Sequence, residues 1–261
     1  MTIIKTAVCI GSGNVATHLA LAMHNAGVSI RQVFSRRIEN ARRLADALSC
    51  NAIDDIEALD PDADIYVLAV ADDAIEPLML SFPFRNRLIL HTSGSTDMDV
   101  LKSGSDQYGV LYPLQTFSRE VPVDFMKVPL CLEVSDTSLC EPLENLANRL
   151  SDHVQWVSSE KRRILHLAAV FACNFVNHMY AQAAGIVDNY GLDFAILRPL
   201  IEETARKAMK WDPRAVQTGP AKRNDTKIMD THRRMLKDHP DLKEMYDFIS
   251  NSILSQKNHN V

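Results

Sequence analysis

A glycine-rich turn near the start of the chain constrains the fold more than any other feature. It reads Gly11-Ser12-Gly13-Asn14-Val15-Ala16 and stands between a short apolar run, residues 7–10, and a helical pattern, residues 14–25. In such a strand–turn–helix the first glycine permits the tight turn, the second lets a pyrophosphate approach the backbone, and the small third residue lets helix and strand pack closely. Residues 11–15 are therefore predicted to bind a dinucleotide, with an ordinary turn as the alternative.

The N-terminal part alternates between strand-like and helix-like patterns. Helical spacing of apolar residues is found at 14–25 and 39–48. Strands are predicted at residues 7–10, 28–34, 64–70 and 87–91, with weaker ones at 110–112, 129–134 and 154–157. This alternation predicts an α/β fold of the Rossmann type, a doubly wound and mainly parallel sheet, over residues 1–158.

The pattern changes after residue 158, where only helical spacing is found. Helices are predicted over residues 160–189, 194–210, 226–237 and 242–256. Residues 1–158 carry 12 basic and 21 acidic side chains, a net charge of −9, whereas residues 159–261 carry 16 and 12, a net charge of +4. We therefore expect a second, all-helical domain over 159–261, which binds the substrate and whose surface favours anions.

Composition narrows the classes of partner. The net charge of −5 argues against nucleic-acid binding, because such domains are normally strongly basic. The longest apolar run near the middle, residues 167–173, is much shorter than a membrane span. Five cysteines without C-x-x-C spacing and a start without a signal-peptide pattern indicate a reduced, cytoplasmic protein. The expected partner is a small molecule, without nucleic acid or a membrane.

The end of the second predicted strand indicates which dinucleotide is bound. An NAD site usually has an acidic residue there, which binds the ribose 2′-hydroxyl. Here the chain reads Phe34-Ser35-Arg36-Arg37, without an acid. Ser35 can donate a hydrogen bond to a 2′-phosphate and Arg36 can form an ion pair with it, so NADP(H) is predicted. Arg37 is a further candidate, or alternatively a solvated charge at the start of a helix.

Polar residues follow the third and fourth clear strands, at the edge where ligands bind in such sheets. Ala71 and Asp72 are predicted to border the riboses of the cofactor, although Asp72 or Asp73 could instead cap the next helix. His91 ends the fourth strand and is a candidate proton donor, or alternatively a histidine bonded to backbone. Gln115, in the loop from Tyr112 to Phe117, is a candidate for the substrate pocket, with interdomain packing as the alternative.

The helical part supplies the remaining candidates. His166 and Asn174 lie in an apolar stretch of the long helix, where a buried polar group needs a partner; a substrate could be that partner, and a satisfied core histidine is the alternative for His166. Thr218 and Arg223 lie in a cationic turn between helices, a composition that commonly binds carboxylate or phosphate, or is simply solvated. No metal site is expected, since no ligand spacing supports one.

These motifs together carry a family resemblance. The motifs are the glycine turn, the Ser35-Arg36 strand end, His91-Thr92-Ser93-Gly94-Ser95, Tyr112-Pro113-Leu114-Gln115-Thr116-Phe117, the stretch from His166 to Asn174, the Thr218-Gly219-Pro220 loop with Arg223 and Asp225, and His232. The chain resembles an oxidoreductase family that joins a Rossmann domain to a helical domain of unknown function 2520. Its N-terminal part also resembles the dinucleotide-binding domains of pyrroline-5-carboxylate reductases and of coenzyme-F420-dependent NADP oxidoreductases.

The resemblance implies a helical domain of the 6-phosphogluconate-dehydrogenase C-terminal type and a homodimer. It supplies no substrate, and one departure concerns the loop, where Asn224 stands in place of a glycine. Asparagine is the residue other than glycine that best tolerates positive φ, so the turn is expected to persist.

The expected function is an NADP(H)-dependent oxidoreductase that transfers a hydride between the nicotinamide and a small anionic carbonyl or imine. His166 or His91 is expected to donate the proton, Asn174 to orient the substrate and Arg223 to hold its anionic group. The alternative is a catalytically inactive protein that binds a dinucleotide as a sensor or scaffold.

Overall fold

A computed structural model describes residues 3–258 of the chain. The chain divides into two compact units, residues 1–175 and residues 176–261. The first unit contains one eight-stranded sheet. Its strands are, in chain order, β1 (Thr6–Ile10), β2 (Ser29–Phe34), β3 (Asn51–Ile53), β4 (Ile65–Leu68), β5 (Leu88–His91), β6 (Gln107–Pro113), β7 (Leu130–Val134) and β8 (Val154–Trp156).

The sheet confirms the predicted α/β fold. The strand order is β3-β2-β1-β4-β5-β6-β7-β8, and every neighbouring pair is parallel except β6 and β7. The order turns back at β1, between β2 and β4, as in doubly wound folds that bind dinucleotides at this point. The helices of this unit are α1 (Asn14–Asn25), α2 (Ile38–Leu48), α3 (Ile75–Leu80), α4 (Cys140–Leu150) and α5 (Ser159–Ala169).

Both faces of the central strands are buried. In β1, Ala7 and Cys9 belong to one apolar cluster, whereas Val8 and Ile10 belong to another on the opposite face. Alternate side chains of a strand point to opposite faces, so a strand that is apolar throughout needs cover on both sides. This is why short continuous apolar runs in the sequence correctly indicate central parallel strands.

A π-helical turn, Val170–Phe175, follows α5 directly and leads into α6 (Val176–Asn189). The remaining helices of the second unit are α7 (Arg198–Lys210), α8 (Pro220–Arg223), α9 (Thr226–Met235) and α10 (Pro240–Asn258). Asn224, which ends α8, has φ +57°, so the asparagine adopts the left-handed conformation that the sequence leads us to expect.

The first compact unit extends beyond the last strand. The predicted domain boundary at residue 158 follows the end of β8 at Trp156, but the first unit also includes α5 and the π-helical turn. Arg162 of α5 is fully buried and forms an ion pair with Glu133 of β7, which attaches the helix to the sheet. The all-helical part therefore begins at the predicted boundary, residue 158, whereas the first compact unit ends 17 residues later, at residue 175.

The helix that runs without interruption from Ser159 to Asn189 is long and apolar enough to cross a membrane by length and composition alone. The sequence expectation of no membrane span rests on a shorter apolar run. A core helix of a water-soluble protein satisfies the same criterion, so one such helix is weak support for a membrane span. None of its most apolar stretch is buried within the chain, which leaves an apolar surface to be covered.

Candidate functional site

A cleft of about 780 Å³ follows the carboxyl ends of five parallel strands, β1, β2, β4, β5 and β6. Its volume lies in the range typical of small-molecule sites, about 300–1,000 Å³. The lining comes from the ends of these strands and the segments after them, residues 11–15, 34–36, 69–74, 92–94, 112–113, 115 and 117, together with Pro77, Leu78 and His166. All of these residues belong to the first compact unit.

The glycine turn has the geometry that a phosphate site needs. Gly11 has φ +117°, and a Cβ there would lie 2.1 Å from the carbonyl oxygen of Ala69, so no larger residue fits. At Gly13 a Cβ would meet no heavy atom within 4 Å, which leaves open space beside the backbone. The first N–H groups of α1 have no acceptor within the helix and lie at the positive end of its dipole. The turn therefore fits a bound pyrophosphate.

The strand end that the sequence assigns to the adenosine ribose lies in the same cleft. Ser35 and Arg36 follow β2 and line it, and Arg36 is exposed. Arg37 is also exposed but begins α2 as its N-cap residue, outside the cleft lining. The geometry thus separates the two arginines and gives the cleft one cation at this position.

Asp72 lines the cleft next to Ala71, and its carboxylate accepts a short hydrogen bond from the hydroxyl of Ser95. The sequence allows Asp72 or Asp73 to cap the following helix, and this alternative is wrong: neither the short turn that begins at Asp72 nor α3 has a side-chain cap hydrogen bond. The carboxylate is instead engaged by the loop that follows β5.

His91 is fully buried behind the cleft lining. Its Nδ1 accepts a hydrogen bond from the backbone N–H of Ser93 at 3.1 Å, so in the neutral ring Nε2 carries the hydrogen. Burial, and then the charge of Arg162, lower the pKa of His91 to about 4. His91 is therefore a neutral side chain bonded to backbone, the alternative that the sequence leaves open.

His166 projects from α5 into the cleft and forms a pair with Tyr112. The hydroxyl oxygen of Tyr112 lies 3.1 Å from Nδ1 of His166. Gly94 makes room for the pair, since a Cβ at Gly94 would lie 2.6 Å from Nδ1 of His166 and 2.7 Å from Cζ of Tyr112. Burial raises the pKa of Tyr112 to about 12, so the phenol stays protonated near neutral pH. Nδ1 of His166 is thus engaged by Tyr112, whereas Nε2 of the same ring takes no part in this hydrogen bond.

Tyr112 is the functional candidate that sequence reasoning missed. The sequence includes it in a loop that could wall a pocket but gives it no chemical role. Its partner is 54 residues away in the chain, and no local pattern indicates such a pairing. The only available signal is its place after an apolar run, at the carboxyl edge where site residues collect.

A buried ion pair fixes α5, and therefore His166, against the sheet. The guanidinium of Arg162 bonds to Glu133, donates to the carbonyl oxygen of Thr96 at 2.6 Å and to the hydroxyl of Ser159 at 3.0 Å. Thr96 lies in the loop that carries Gly94. One arginine thus joins the helix, the sheet and the loop that surround the Tyr112–His166 pair.

The other predicted site residues are distributed over both units. Gln115 lines the cleft, whereas Asn174 is exposed on the π-helical turn, outside the cleft lining. Thr218 and Arg223 belong to the second unit, where Thr218 lines an apolar cavity of about 320 Å³ and Arg223 is exposed at the end of α8. Among the described residues, no three His, Cys, Asp or Glu side chains are grouped to hold a metal ion.

Two family models match the chain. The model described as NADP oxidoreductase, coenzyme F420-dependent, matches residues 6–92, and the domain of unknown function 2520 matches residues 128–253. The first match contains the glycine turn and the strand end with Arg36, and the second contains α5 and most of the helical part. No curated protein matches the chain.

Solved structures include one relative of high identity. The crystal structure of a protein described as a "putative NADP oxidoreductase" from Bacteroides fragilis is 42% identical, with a TM-score of 0.92, over 96% of this chain and 98% of that one. More distant structures share the fold. A 1-pyrroline-5-carboxylate reductase from Streptococcus pyogenes is 12% identical (TM-score 0.63; 96% and 98% covered), and an imine reductase from Myxococcus stipitatus in complex with NADP⁺ is 14% identical (TM-score 0.64; 96% and 92% covered).

Proposed function

The chain belongs to the NADP oxidoreductase family that joins an F420-dependent-type NADP-binding domain to the domain of unknown function 2520, and on that premise we propose that it is an NADPH-dependent reductase of small carbonyl or imine compounds that bear an anionic group. Its cofactor is NADP(H), held in the cleft along the carboxyl edge of the sheet. The family is established by sequence identity, whereas the substrate class is our inference from the site.

One observation carries the proposal. A single cleft runs from the glycine turn and Arg36 to the Tyr112–His166 pair. A dinucleotide phosphate site and a group able to transfer a proton therefore open into the same space. Reduction of a C=O or C=N bond needs both a hydride and a proton, and this cleft is suited to provide them side by side.

The residues at the glycine turn and after β2 would hold the cofactor. Open space at Gly13 leaves room for the pyrophosphate beside the N-terminus of α1. Arg36 would pair with the 2′-phosphate, with Ser35 as a hydrogen-bond donor. NADPH, when bound, supplies the hydride. Ala71 and Asp72 would border its riboses, and the bond from Ser95 holds the Asp72 carboxylate in place.

His166 is the proton donor that the geometry favours over His91. His166 lines the cleft, whereas His91 is fully buried and its pKa is lowered to about 4 by burial. In the imidazolium form, Nδ1–H of His166 donates to the hydroxyl oxygen of Tyr112. Nε2 can then give its proton to the substrate oxygen or nitrogen, and the ring remains as the neutral Nδ1–H tautomer without turning.

The anionic group of the substrate needs a hydrogen-bond donor or a cation. Gln115 lines the cleft and could donate hydrogen bonds, while Arg223 and Thr218 of the second unit remain candidates on their residue type. The net charge of +4 of residues 159–261, from 16 basic and 12 acidic side chains, also favours an anionic ligand. Asn174 remains a candidate for orienting the substrate.

Two experiments test the function in sequence. Titration of the purified protein with NADPH, followed by nicotinamide fluorescence, should give saturable binding, and absence of binding at millimolar cofactor would end the proposal. A screen of keto acids and cyclic imines, followed by NADPH absorbance, should then give turnover. Binding without turnover on any compound would favour the alternative, a dinucleotide-binding sensor or scaffold that lacks catalysis.

We also propose that the protein is a homodimer. Within the described part of the second unit, Ala221 and Met229 are the only buried apolar side chains, whereas large apolar side chains such as Ile196, Met209 and Phe248 are at least 70% exposed. So small a core cannot offset the conformational entropy lost when this unit folds. A second copy presents the same apolar helices and can cover them reciprocally.

The oligomeric state is measured by sedimentation equilibrium. A dimer should give twice the chain mass of 29.2 kDa without detergent. A monomer would contradict the proposed homodimer. A protein that stays in solution only with detergent would also contradict it and would indicate that lipid covers the long helix. We propose further that the protein is cytoplasmic and has no nucleic-acid or membrane partner, in keeping with five free cysteines and a net charge of −5.

A further inference from the structure

The loop that follows β6 forms hydrogen bonds with the glycine turn and with the first residues of α1. Three hydrogen bonds run between side chains and backbone carbonyls across this contact: Arg119 Nη2 to Ser12 at 2.6 Å, Asn14 Nδ2 to Phe117 at 2.9 Å and His18 Nε2 to Ser118 at 3.0 Å. The partners are 100 to 107 residues apart in the chain. The contact is therefore tertiary and places the loop directly beside the predicted phosphate site.

Arg119 acts on the peptide bond at the centre of the turn. In a trans peptide the C=O and N–H point in opposite directions, so an arginine that holds the Ser12 carbonyl also fixes the direction of the Gly13 N–H. Gly13 lines the cleft and has open space beside it. If this peptide rotated, the Ser12 carbonyl rather than the Gly13 N–H would face the phosphates, and the carbonyl oxygen would repel them.

The loop has other attachments that do not depend on Arg119. The ring of Phe117 stacks on His18, with centroids 5.1 Å apart, and on Phe125, with centroids 6.1 Å apart. Phe117 also packs against the main apolar core. Removal of the guanidinium should therefore release the Ser12 carbonyl while the loop stays in place.

We propose that Arg119 is a positioning residue for the pyrophosphate of the dinucleotide. Its hydrogen bond keeps the Ser12 carbonyl away from the phosphates and polarises the peptide, so that the Gly13 N–H becomes a stronger donor. Its positive charge adds to that of the α1 N-terminus. The two arginines then have different roles: Arg36 binds the 2′-phosphate, and Arg119 orients the peptide that binds the pyrophosphate. This inference rests on the proposed function, because it requires that a dinucleotide binds in the cleft.

The test compares two ligands that differ in the pyrophosphate. NADPH contains both the 2′-phosphate and the pyrophosphate, whereas adenosine 2′-phosphate contains only the first. Kd values are measured by calorimetric titration of the full chain for Arg119→Met, Arg36→Ala and a control, Arg149→Met. Arg149 likewise donates to backbone carbonyls, those of Ile4 and Ala26, and lies outside the cleft lining. Thermal denaturation of each variant reports stability.

Arg119→Met should weaken NADPH binding about tenfold, the effect of losing one charge-assisted hydrogen bond, and leave adenosine 2′-phosphate unchanged. Arg36→Ala should weaken both ligands. Arg149→Met should lower the melting temperature without changing either Kd, and Arg119→Lys, which keeps a charged donor, should recover most of the NADPH affinity.

Two results would overturn the inference while leaving the proposed function intact. Unchanged NADPH affinity in Arg119→Met would show that the arginine has a structural role only. An equal loss for both ligands would show that the loop collapses without it. If the wild-type protein binds no NADPH, the proposed function fails, and this inference fails with it.

Discussion

The hydroxyl oxygen of Tyr112 lies 3.1 Å from Nδ1 of His166, across the loop position occupied by Gly94. This contact leaves Nε2 of His166 as the nitrogen that can transfer a proton in the cleft. Tyr112→Phe keeps the ring but removes the partner of Nδ1, so the imidazole loses its fixed orientation. We expect kcat to fall about 100-fold, the lower end of general-acid effects, with NADPH affinity unchanged. Steady-state kinetics on a substrate from the screen would measure both, and an unchanged kcat would contradict a role for the pair.

Gly94→Ala tests the same pair from the opposite side. The added Cβ would stand 2.6 Å from Nδ1 of His166, so the histidine has to move. A shift of the histidine by about 1 Å is enough to lower kcat on the order of 10- to 100-fold. Gly185→Ala is the control, since a Cβ there meets nothing within 4 Å and alanine should stabilise the helix by about 0.5–1 kcal/mol. Equal kinetics for the two variants would show that the Gly94 loop yields and the pair is unaffected.

Arg36→Ala should distinguish the two nicotinamide cofactors. Loss of an ion pair with the 2′-phosphate should weaken NADPH about 10- to 100-fold and leave NADH nearly unchanged. Arg37→Ala is a matched control, because Arg37 is exposed at the start of α2 and lies outside the cleft lining. Competitive titration of both cofactors on the wild type and the two variants gives six affinities, and equal losses of NADPH and NADH in Arg36→Ala would remove the 2′-phosphate assignment.

His91 should make the stability of the first unit depend on pH. Burial lowers its pKa from 6.5 to about 4 in the folded protein, so the unfolded chain takes up this proton first as the pH falls. The contribution of neutral His91 to the free energy of unfolding is present above pH 6.5 and is lost progressively as the pH falls toward 4. By linkage, the free energy of unfolding should fall by about 2–3 kcal/mol between pH 7.5 and 4.5 from this group alone. Urea denaturation of the wild type and of His91→Gln measures it, and equal pH dependence in both would rule out this origin.

The sheet was accessible from the sequence because its strands are continuous apolar runs. Strands β1, β4 and β5 are buried on both faces, which is the pattern that a local reading detects best. Strand β3, which has three residues and is partly exposed, and helix α4 are not predicted from the sequence. A short edge strand carries little periodicity, and its existence depends on pairing with β2 rather than on its own composition.

The sequence predicts those residues of the candidate site that belong to a local motif. Gly11, Gly13 and Arg36 stand at fixed places relative to strand ends, and all three line the cleft. The Tyr112–His166 contact and the bond from Arg119 to Ser12 join residues 54 and 107 positions apart. Such pairs follow from the packing of α5 and of the β6–β7 loop on the sheet, which the order of residues alone does not specify.

The π-helical turn between α5 and α6 has a consequence for any comparison of this helix between relatives. A turn with i→i+5 bonding holds one residue more than an α-turn, and one residue corresponds to about 100° of rotation around the axis. The wider turn absorbs that residue with little net rotation, whereas an unbroken α-helix over residues 170–175 would turn the following residues by about 100° for the same residue. A one-residue gap within residues 170–175 of a relative is therefore the expected mark of an α-turn in place of this π-turn.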